Sequence, residues 1–211
     1  MDLQSQCEAM LAQLSERGID DPKVLAAMKQ VPREAFVLEE FRADAYRDSA
    51  LPLTHQQTIS QPFIVALMAQ ALELKPSDRT LEIGAGSGYA AAVLGRLCQE
   101  VFTVERVGDL AISAAETIRK LGMANVHVRF GDGTKGWPAE APFDAISVAA
   151  GGTRVPNALV DQLAIGGRLV IPLGRAADSQ KLVRIRKLAK DRYKEDDLGA
   201  VRFVPLLPDT D

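Results

Sequence analysis

The sequence predicts an α/β fold: a mostly parallel sheet with helices on both faces, a C-terminal antiparallel hairpin and an N-terminal helical addition. Alternation is the first sign. TLEIG (80–84), VFTVE (101–105), VHVRF (126–130), FDAISVAA (143–150) and GRLVIPLG (167–174) are short apolar or β-branched runs separated by helical patterns. Such alternation buries a parallel sheet between two layers of helices. The second sign is a turn carrying Gly84, Gly86 and Gly88 between the first of these strands and the next helix. It lies at the carboxyl end of a strand, where open α/β sheets bind their ligands. The third is the pair KLVRIRKLA and AVRFVPLL, which face each other across DRYKEDDLG as a terminal hairpin.

In chain order, Leu3, Cys7, Leu11 and Leu14 recur at helical spacing, and Gly18 stops that first helix. Asp21-Pro22 reads as an N-cap followed by proline at the first helical position. Val24, Leu25 and Met28 are the second helix's apolar stripe, and Val31-Pro32 ends it. Residues 33–57 show no sustained period and read as an extended connection with one short helix. PFIVALMAQALEL is an apolar helix stopped by Lys75-Pro76. Pro62 at its start makes Ser60 or Gln61 the natural cap. Helices through YAAAVLGRL, LAISAAETIRKLG (ended by Gly122) and ALVDQLA complete the alternation. There is no internal repeat, and 1–211 reads as one domain: a helical extension, 1–57, and an α/β core, 58–211.

With 211 residues, 47% hydrophobic and 25% charged, the chain has the make-up of one globular domain with a sizeable core. A net charge of −3 argues against nucleic-acid binding through bulk positive charge, leaving only a local basic patch. Cys7 and Cys98 form no disulfide framework and stand in no metal-ligand spacing. They read as small apolar residues in a reducing compartment, and no metal site is expected. The N-terminus MDLQSQCEAM is too polar for a secretory signal, and no apolar run approaches membrane-spanning length. The expectation is a cytoplasmic monomer without membrane or nucleic-acid partners.

LEIGAGSGYA has Tyr89 where the dinucleotide fingerprint needs a third glycine, and no Gly-Lys-Ser/Thr follows to cradle phosphate. Its neighbours say more. Glu82 lies inside an apolar strand, where an unpaired carboxylate is costly and a cationic ligand group would serve as partner. Glu105 ends the second strand, about twenty residues beyond the glycines, as suits an acceptor for ribose hydroxyls. Asp132, in GDG, follows the third strand. Each alone has a plainer role, Glu105 as a solvated strand end and Asp132 as a turn former. Together, three acids at successive strand ends without a phosphate cradle suit a ligand with an amino group, a ribose and an adenine. S-adenosyl-L-methionine has all three.

The order of the glycine turn, VERVGDL, GDGTKGWP, APFDAISV, GGRLVIPLG and VRFVPL, preceded by VPREAFV and QTISQPFIVALM, resembles the protein-L-isoaspartate O-methyltransferase family from about residue 3 to Leu206. QTISQP with GDGTKGWP is the specific part. The resemblance implies a Rossmann-like class I methyltransferase fold. It also implies methylation, from S-adenosylmethionine, of the α-carboxylate of isoaspartyl residues in damaged proteins and peptides. The ester then closes to a succinimide. By motif, Glu82, Gly84, Gly86 and Gly88, with Ala85 and Ser87 between them, line the cofactor's methionine end. Glu105 beside Arg106 takes the ribose, and Asp132 beside Gly133 the adenine amino group. Ser60 occupies the active-site hydroxyl position, with Thr58 and Ile59 flanking the cofactor.

The chemistry agrees. A carboxylate acceptor is already ionised at neutral pH and needs no general base. The chain holds only His55 and His127, the latter inside a strand and structural in character. A Ser60 hydroxyl would orient the acceptor; no partner set for nucleophilic serine catalysis is evident. Three departures from the family pattern bear on acceptor choice. LTHQ before QTIS places His55 at the pocket mouth. AAGGTRVP after the fourth strand would loosen a loop at Gly151 and Gly152 and add Arg154 as a carboxylate-binding charge. Leu207-Pro208, soon before the last residue, stands where many relatives continue with a small or polar residue. The AAGGTRVP loop motivates an alternative, a methyltransferase of the same lineage that esterifies aspartate or isoaspartate in one dedicated peptide; a silent cofactor-binding module is the third reading.

Overall fold

The computed structural model describes residues 2–175 and 179–208. Helix α1 (Leu3–Glu16) starts where Asp2 accepts from the Ser5 amide, and α2 (Pro22–Gln30) where Asp21 accepts from that of Lys23. The 33–57 segment is not extended with one helix: it makes two 3₁₀ turns, Arg33–Ala35 and Glu39–Asp44, and a two-stranded ribbon of β1 (Leu51–Pro52) with β2 (Thr58–Ile59). Helix α3 (Pro62–Ala71) follows. It ends sooner than PFIVALMAQALEL suggests, with Glu73 at φ 48°. The buried Arg168 guanidinium is the cause: it donates to the Leu72 and Glu73 carbonyls (2.6 and 2.8 Å) and pairs with Asp78. The orphan carbonyls of the last turn are thus satisfied from across the fold.

Strand β3 (Arg79–Ile83), α4 (Tyr89–Gly95), β4 (Glu100–Glu105), α5 (Gly108–Lys120) and β5 (Val126–Phe130) build one half of a seven-stranded sheet. The chain then crosses to the other side of β3 with β6 (Phe143–Val148), α6 (Asn157–Gln162) and β7 (Leu163–Leu173). The strand order is β5-β4-β3-β6-β7-β8-β9, with β8 at Gln180–Ala189 and β9 at Arg192–Val201. Strands β3 to β7 are parallel and β8 and β9 antiparallel. The direction of winding reverses at β3 and β6, so a crevice opens beyond their carboxyl ends. Side chains alternate across the sheet. Leu81 and Ile83 join Phe143 and Leu159 on one face, while Ala66, Val93 and Leu72 pack with α1 and α2 on the other. Among the described residues, no helix is long and apolar enough to cross a membrane.

The terminal hairpin is present, but DRYKEDDLG is not its loop. Most of that run is β9, and the turn is confined to Lys190 and Asp191. The charges that read as a turn are cross-strand partners: Arg184 pairs with Asp196 (2.9 Å) and Lys181 with Asp197 (3.0 Å). They suit an edge strand facing water. FVPLL leaves the sheet and is held elsewhere. The Gly151 amide donates to the Val204 carbonyl, and the Leu206 amide to the Gly151 carbonyl, both at 2.7 Å. This also corrects the reading of AAGGTRVP. Gly151 and Gly152 do not loosen a loop; the Gly152 amide donates to Pro172 and the Gly174 amide to Gly152, stitching the segment between β7 and the C-terminal stretch. A Cβ on Gly151 would lie 2.3 Å from the Gln180 side-chain Nε2, so a larger residue here would have to displace a side chain that bonds the Phe203 backbone.

Candidate active site

A cavity of about 340 Å³ fills the crevice beyond β3, β4 and β6. Thr58, Ser60, Gly84, Gly86, Glu105 and Gly133 line it, with Arg106 at its rim. The glycine turn is shaped by left-handed backbone at Gly84 (φ 91°), Gly86 (φ 55°) and Gly88 (φ 88°), which L side chains rarely adopt. Gly88 also packs α4 against α5, since a Cβ there would meet Ala114 and Ile118 at 3.2 Å. It does not line the cavity, and neither do Ala85, Ser87 or Ile59, the last buried among the core residues.

Glu105 is not a solvated strand end; it is 6% exposed. One oxygen accepts from the Gly86 amide (2.8 Å) and the other from the Val107 amide (2.9 Å). These bonds fix the carboxylate at the cavity wall and clamp the glycine turn to the end of β4. Each oxygen retains a lone pair. Asp132 is placed differently. Its Oδ1 accepts from the Thr134 amide and hydroxyl (2.8 and 2.6 Å) and caps a 3₁₀ turn, and Lys135 lies 3.5 Å from its other oxygen. The neighbouring Gly133, not Asp132, faces the cavity, and a Cβ on it would lie 2.4 Å from the Ile83 side chain.

Glu82 is 1% exposed and points away from this cavity, into the layer under α3 and α4. Its Oε2 accepts from the Thr103 hydroxyl at 2.5 Å; its Oε1 has no hydrogen-bond partner. Burial pushes the carboxyl up to about 8; the Thr103 hydrogen bond opposes the rise and the charge of Glu105 adds to it. The stability contributed by the neutral form is therefore fully present below the ordinary value of 4.5 and gone above about 8. Glu82→Gln, neutral at every pH, is expected to gain thermal stability on the wild type as pH rises through that window. The gain is at most about 1.4 kcal/mol per pH unit. A difference in melting temperature that stays constant across the window contradicts this.

Ser60 does not cap α3. The cap residue is Gln61, without a side-chain bond to the helix. The first-turn amide of Phe63 instead donates to Asp48 (2.9 Å), which Gln61 and Arg17 hold in place. The Ser60 hydroxyl is thus released from the helix. Its backbone carbonyl accepts from Arg33 (2.8 Å), a fully buried guanidinium that also donates to Ala45 and lies 4.7 Å over the Tyr89 ring. Ser60 lines three spaces at once: the main cavity, an open cleft of about 730 Å³ and an inner cavity of about 20 Å³. Arg33 and Asp48 are the residues that reading the sequence alone leaves out. Arg33 shows only as a lone cation in the apolar run VPREAFV.

His55 sits on the rim, its Nε2 3.0 Å from Asp109 at the start of α5. His55 and Gln56 both adopt left-handed backbone (φ 56° and 57°). His127 stacks on Phe102 and approaches Glu100 (3.4 Å), outside the cavity lining. Arg154 is exposed and lines none of the three spaces. No cluster of His, Cys, Asp or Glu suited to a metal occurs among the described residues. The cavity lining fits S-adenosylmethionine: Glu105 offers a fixed acceptor for a diol, and the glycine turn lacks a phosphate-cradling sequence.

Known proteins agree with this geometry. The family model for protein-L-isoaspartate(D-aspartate) O-methyltransferase (PCMT) matches residues 5–210. Protein-L-isoaspartate O-methyltransferase 1 of Rhodopseudomonas palustris (strain HaA2) is 57% identical over 97% of this chain and 84% of its own. The enzyme of that name from R. palustris strain ATCC BAA-98 / CGA009 is 56% identical over 92% and 89%. A solved Plasmodium falciparum structure, described as a protein-L-isoaspartate O-methyltransferase in complex with S-adenosyl-L-homocysteine, superposes with a TM-score of 0.82 at 30% identity, covering 98% of this chain and 99% of that one. With its strand order, its cavity and these relatives taken together, the chain belongs to the protein-L-isoaspartate(D-aspartate) O-methyltransferase family.

Proposed function

We propose that the chain uses S-adenosylmethionine to methylate the α-carboxylate of L-isoaspartyl residues in damaged proteins and peptides. One observation carries the reading: a serine hydroxyl that the helix does not use, placed where the cofactor-sized cavity meets an open cleft. The cofactor, when bound, supplies an electrophilic methyl group on a sulfonium. Glu105 accepts from the ribose hydroxyls with an oxygen already fixed by the Gly86 amide. The acceptor lies in the cleft as a carboxylate, so no residue has to remove a proton. Ser60 donates to one carboxylate oxygen and leaves the other aligned for in-line attack, where positioning supplies much of the rate. Arg33 fixes the Ser60 backbone and so fixes where the hydroxyl stands. In the ester product, attack by the next backbone amide nitrogen expels methanol and closes the succinimide.

The chain acts as one unit in this reading, because Arg33 and His55, from the 1–57 segment, reach the site built on 58–211. It is read as a monomer of the cytoplasm; buried free Cys7 and Cys98 suit a reducing compartment. The dedicated-peptide alternative loses its motive, since Gly151 and Gly152 are stitched into place and Arg154 stands outside the cleft. The test is a methyl-transfer assay on several unrelated isoaspartyl peptides and their normal aspartyl twins. Methylation of the isoaspartyl set alone is expected. Turnover of one peptide only, or of none despite cofactor binding, overturns the reading.

A further inference from the structure

The open cleft of about 730 Å³ that meets the main cavity at Ser60 carries charge of one sign. Arg17 and Arg202 line it, and among the described residues no aspartate or glutamate does. The two arginines are not equivalent. Arg17 pairs with Asp48 and lies 3.6 Å over the Phe63 ring, so its charge is already matched. Arg202 is exposed and, among the described residues, has neither an ion pair nor a side-chain hydrogen bond. Its backbone is held nonetheless. Val201 is buried and pairs with Gln180 at the end of β9. The Gln180 side chain accepts from the Phe203 amide (2.7 Å) and donates to the Phe203 carbonyl (3.2 Å), and the Val204 carbonyl accepts from the Gly151 amide (2.7 Å). Alternation along this stretch turns Val201 and Phe203 to the core and leaves Arg202 and Val204 exposed. A free cation thus stands on a rigid mount in a cleft that Phe63, Ile64 and Val204 also line. The net charge of −3 gives an acidic peptide no attraction from the chain as a whole, so any attraction is local.

We infer that Arg202 is a specificity-determining residue: it takes the carboxylate of an aspartate or glutamate flanking the isoaspartyl residue, and so directs methylation toward acidic segments. The inference rests on reading this cleft as the acceptor site and adds which acceptor sequences it prefers. With the isoaspartyl carboxylate at Ser60, the flanking peptide runs along the cleft that Arg202 lines. A guanidinium offers a carboxylate two parallel N–H donors. The apolar floor lowers the polarity around such a pair, and the Arg17–Asp48 pair beside it is already neutral as a unit. Arg202 meets the flank of the peptide and not the reacting atoms. Its contribution is therefore the same in the ground state and the transition state, and the preference should appear in KM and leave kcat alone.

The test is steady-state methyl transfer at low salt to isoaspartyl peptides carrying glutamate, glutamine or lysine at each of the two positions before and the two after the isoaspartyl residue. At one or more of these positions kcat/KM should rank Glu above Gln above Lys. The advantage of Glu over Gln should be roughly fivefold, the upper end for an exposed ion pair. It should shrink toward nothing near 1 M salt, where the Debye length is about 3 Å. Arg202→Gln should bring the three peptides together, Arg202→Lys should keep the ranking, and Arg202→Glu should reverse it. Equal kcat/KM across the wild-type panel overturns the inference without recourse to any variant. So does a ranking that survives in R202Q, since the discriminating charge then lies elsewhere or Arg202 serves every peptide alike. If the glutamine peptides are methylated and the ranking is absent, only the preference fails; if no isoaspartyl peptide is methylated, the proposed function fails and the inference with it.

Discussion

Ser60→Ala is expected to lower kcat on an isoaspartyl peptide by roughly 100-fold, the cost of losing one aligned hydrogen-bond donor from a transition state. Affinity for S-adenosylhomocysteine should not change. The rival role for this serine makes a different forecast. A helix cap contributes about 1 kcal/mol of stability, so its loss would appear in the thermal melt and leave the chemistry of surviving molecules intact. The structure separates the two roles. The Phe63 amide is satisfied by Asp48, fifteen positions upstream, and Gln61 and Arg17 hold that carboxylate in place. Nothing in the first turn of α3 therefore depends on the Ser60 hydroxyl. An unchanged kcat sinks the orienting role, and a melt lowered by a cap's worth with kcat intact revives the other one.

The difference between Ser60 and Asp48 shows what sequence patterns convey and what they miss. Local rules named two candidate caps next to Pro62 because capping statistics are local. The actual acceptor for the helix amide, Asp48, arrives from a loop whose position depends on packing. The same holds at the other end of α3, where Arg168 on β7 collects the carbonyls of Leu72 and Glu73. Strand β5 matched its expected bounds, Val126–Phe130, because the alternation of Val126, Val128 and Phe130 with polar residues, between Asn125 and Gly131, is decided locally. Strand β9 was hidden because its charges match partners on β8 and not any local pattern. Within the site, the cost of burying Glu82 was legible from its apolar neighbours. Which of its oxygens Thr103 would satisfy, and which would stay open, depends on the register of β3 with β4. Asp132 was legible as an acid at a strand end, but not its engagement with Thr134.

Glu105→Ala is expected to weaken S-adenosylhomocysteine binding by about 1.5–3 kcal/mol, the range for hydrogen bonds to a charged group. In calorimetry that is a Kd raised roughly 10- to 150-fold. The upper half of the range is favoured because this carboxylate does two jobs. It offers lone pairs to the ribose, and it ties the Gly86 amide to the Val107 amide, so its removal also unclamps the glycine turn. Glu105→Gln is not a mild control here. Both oxygens accept from backbone N–H groups, so the amide nitrogen of glutamine must face one of those donors with a donor of its own. Gln should therefore behave closer to Ala than to wild type. An affinity unchanged in both variants sinks the ribose assignment.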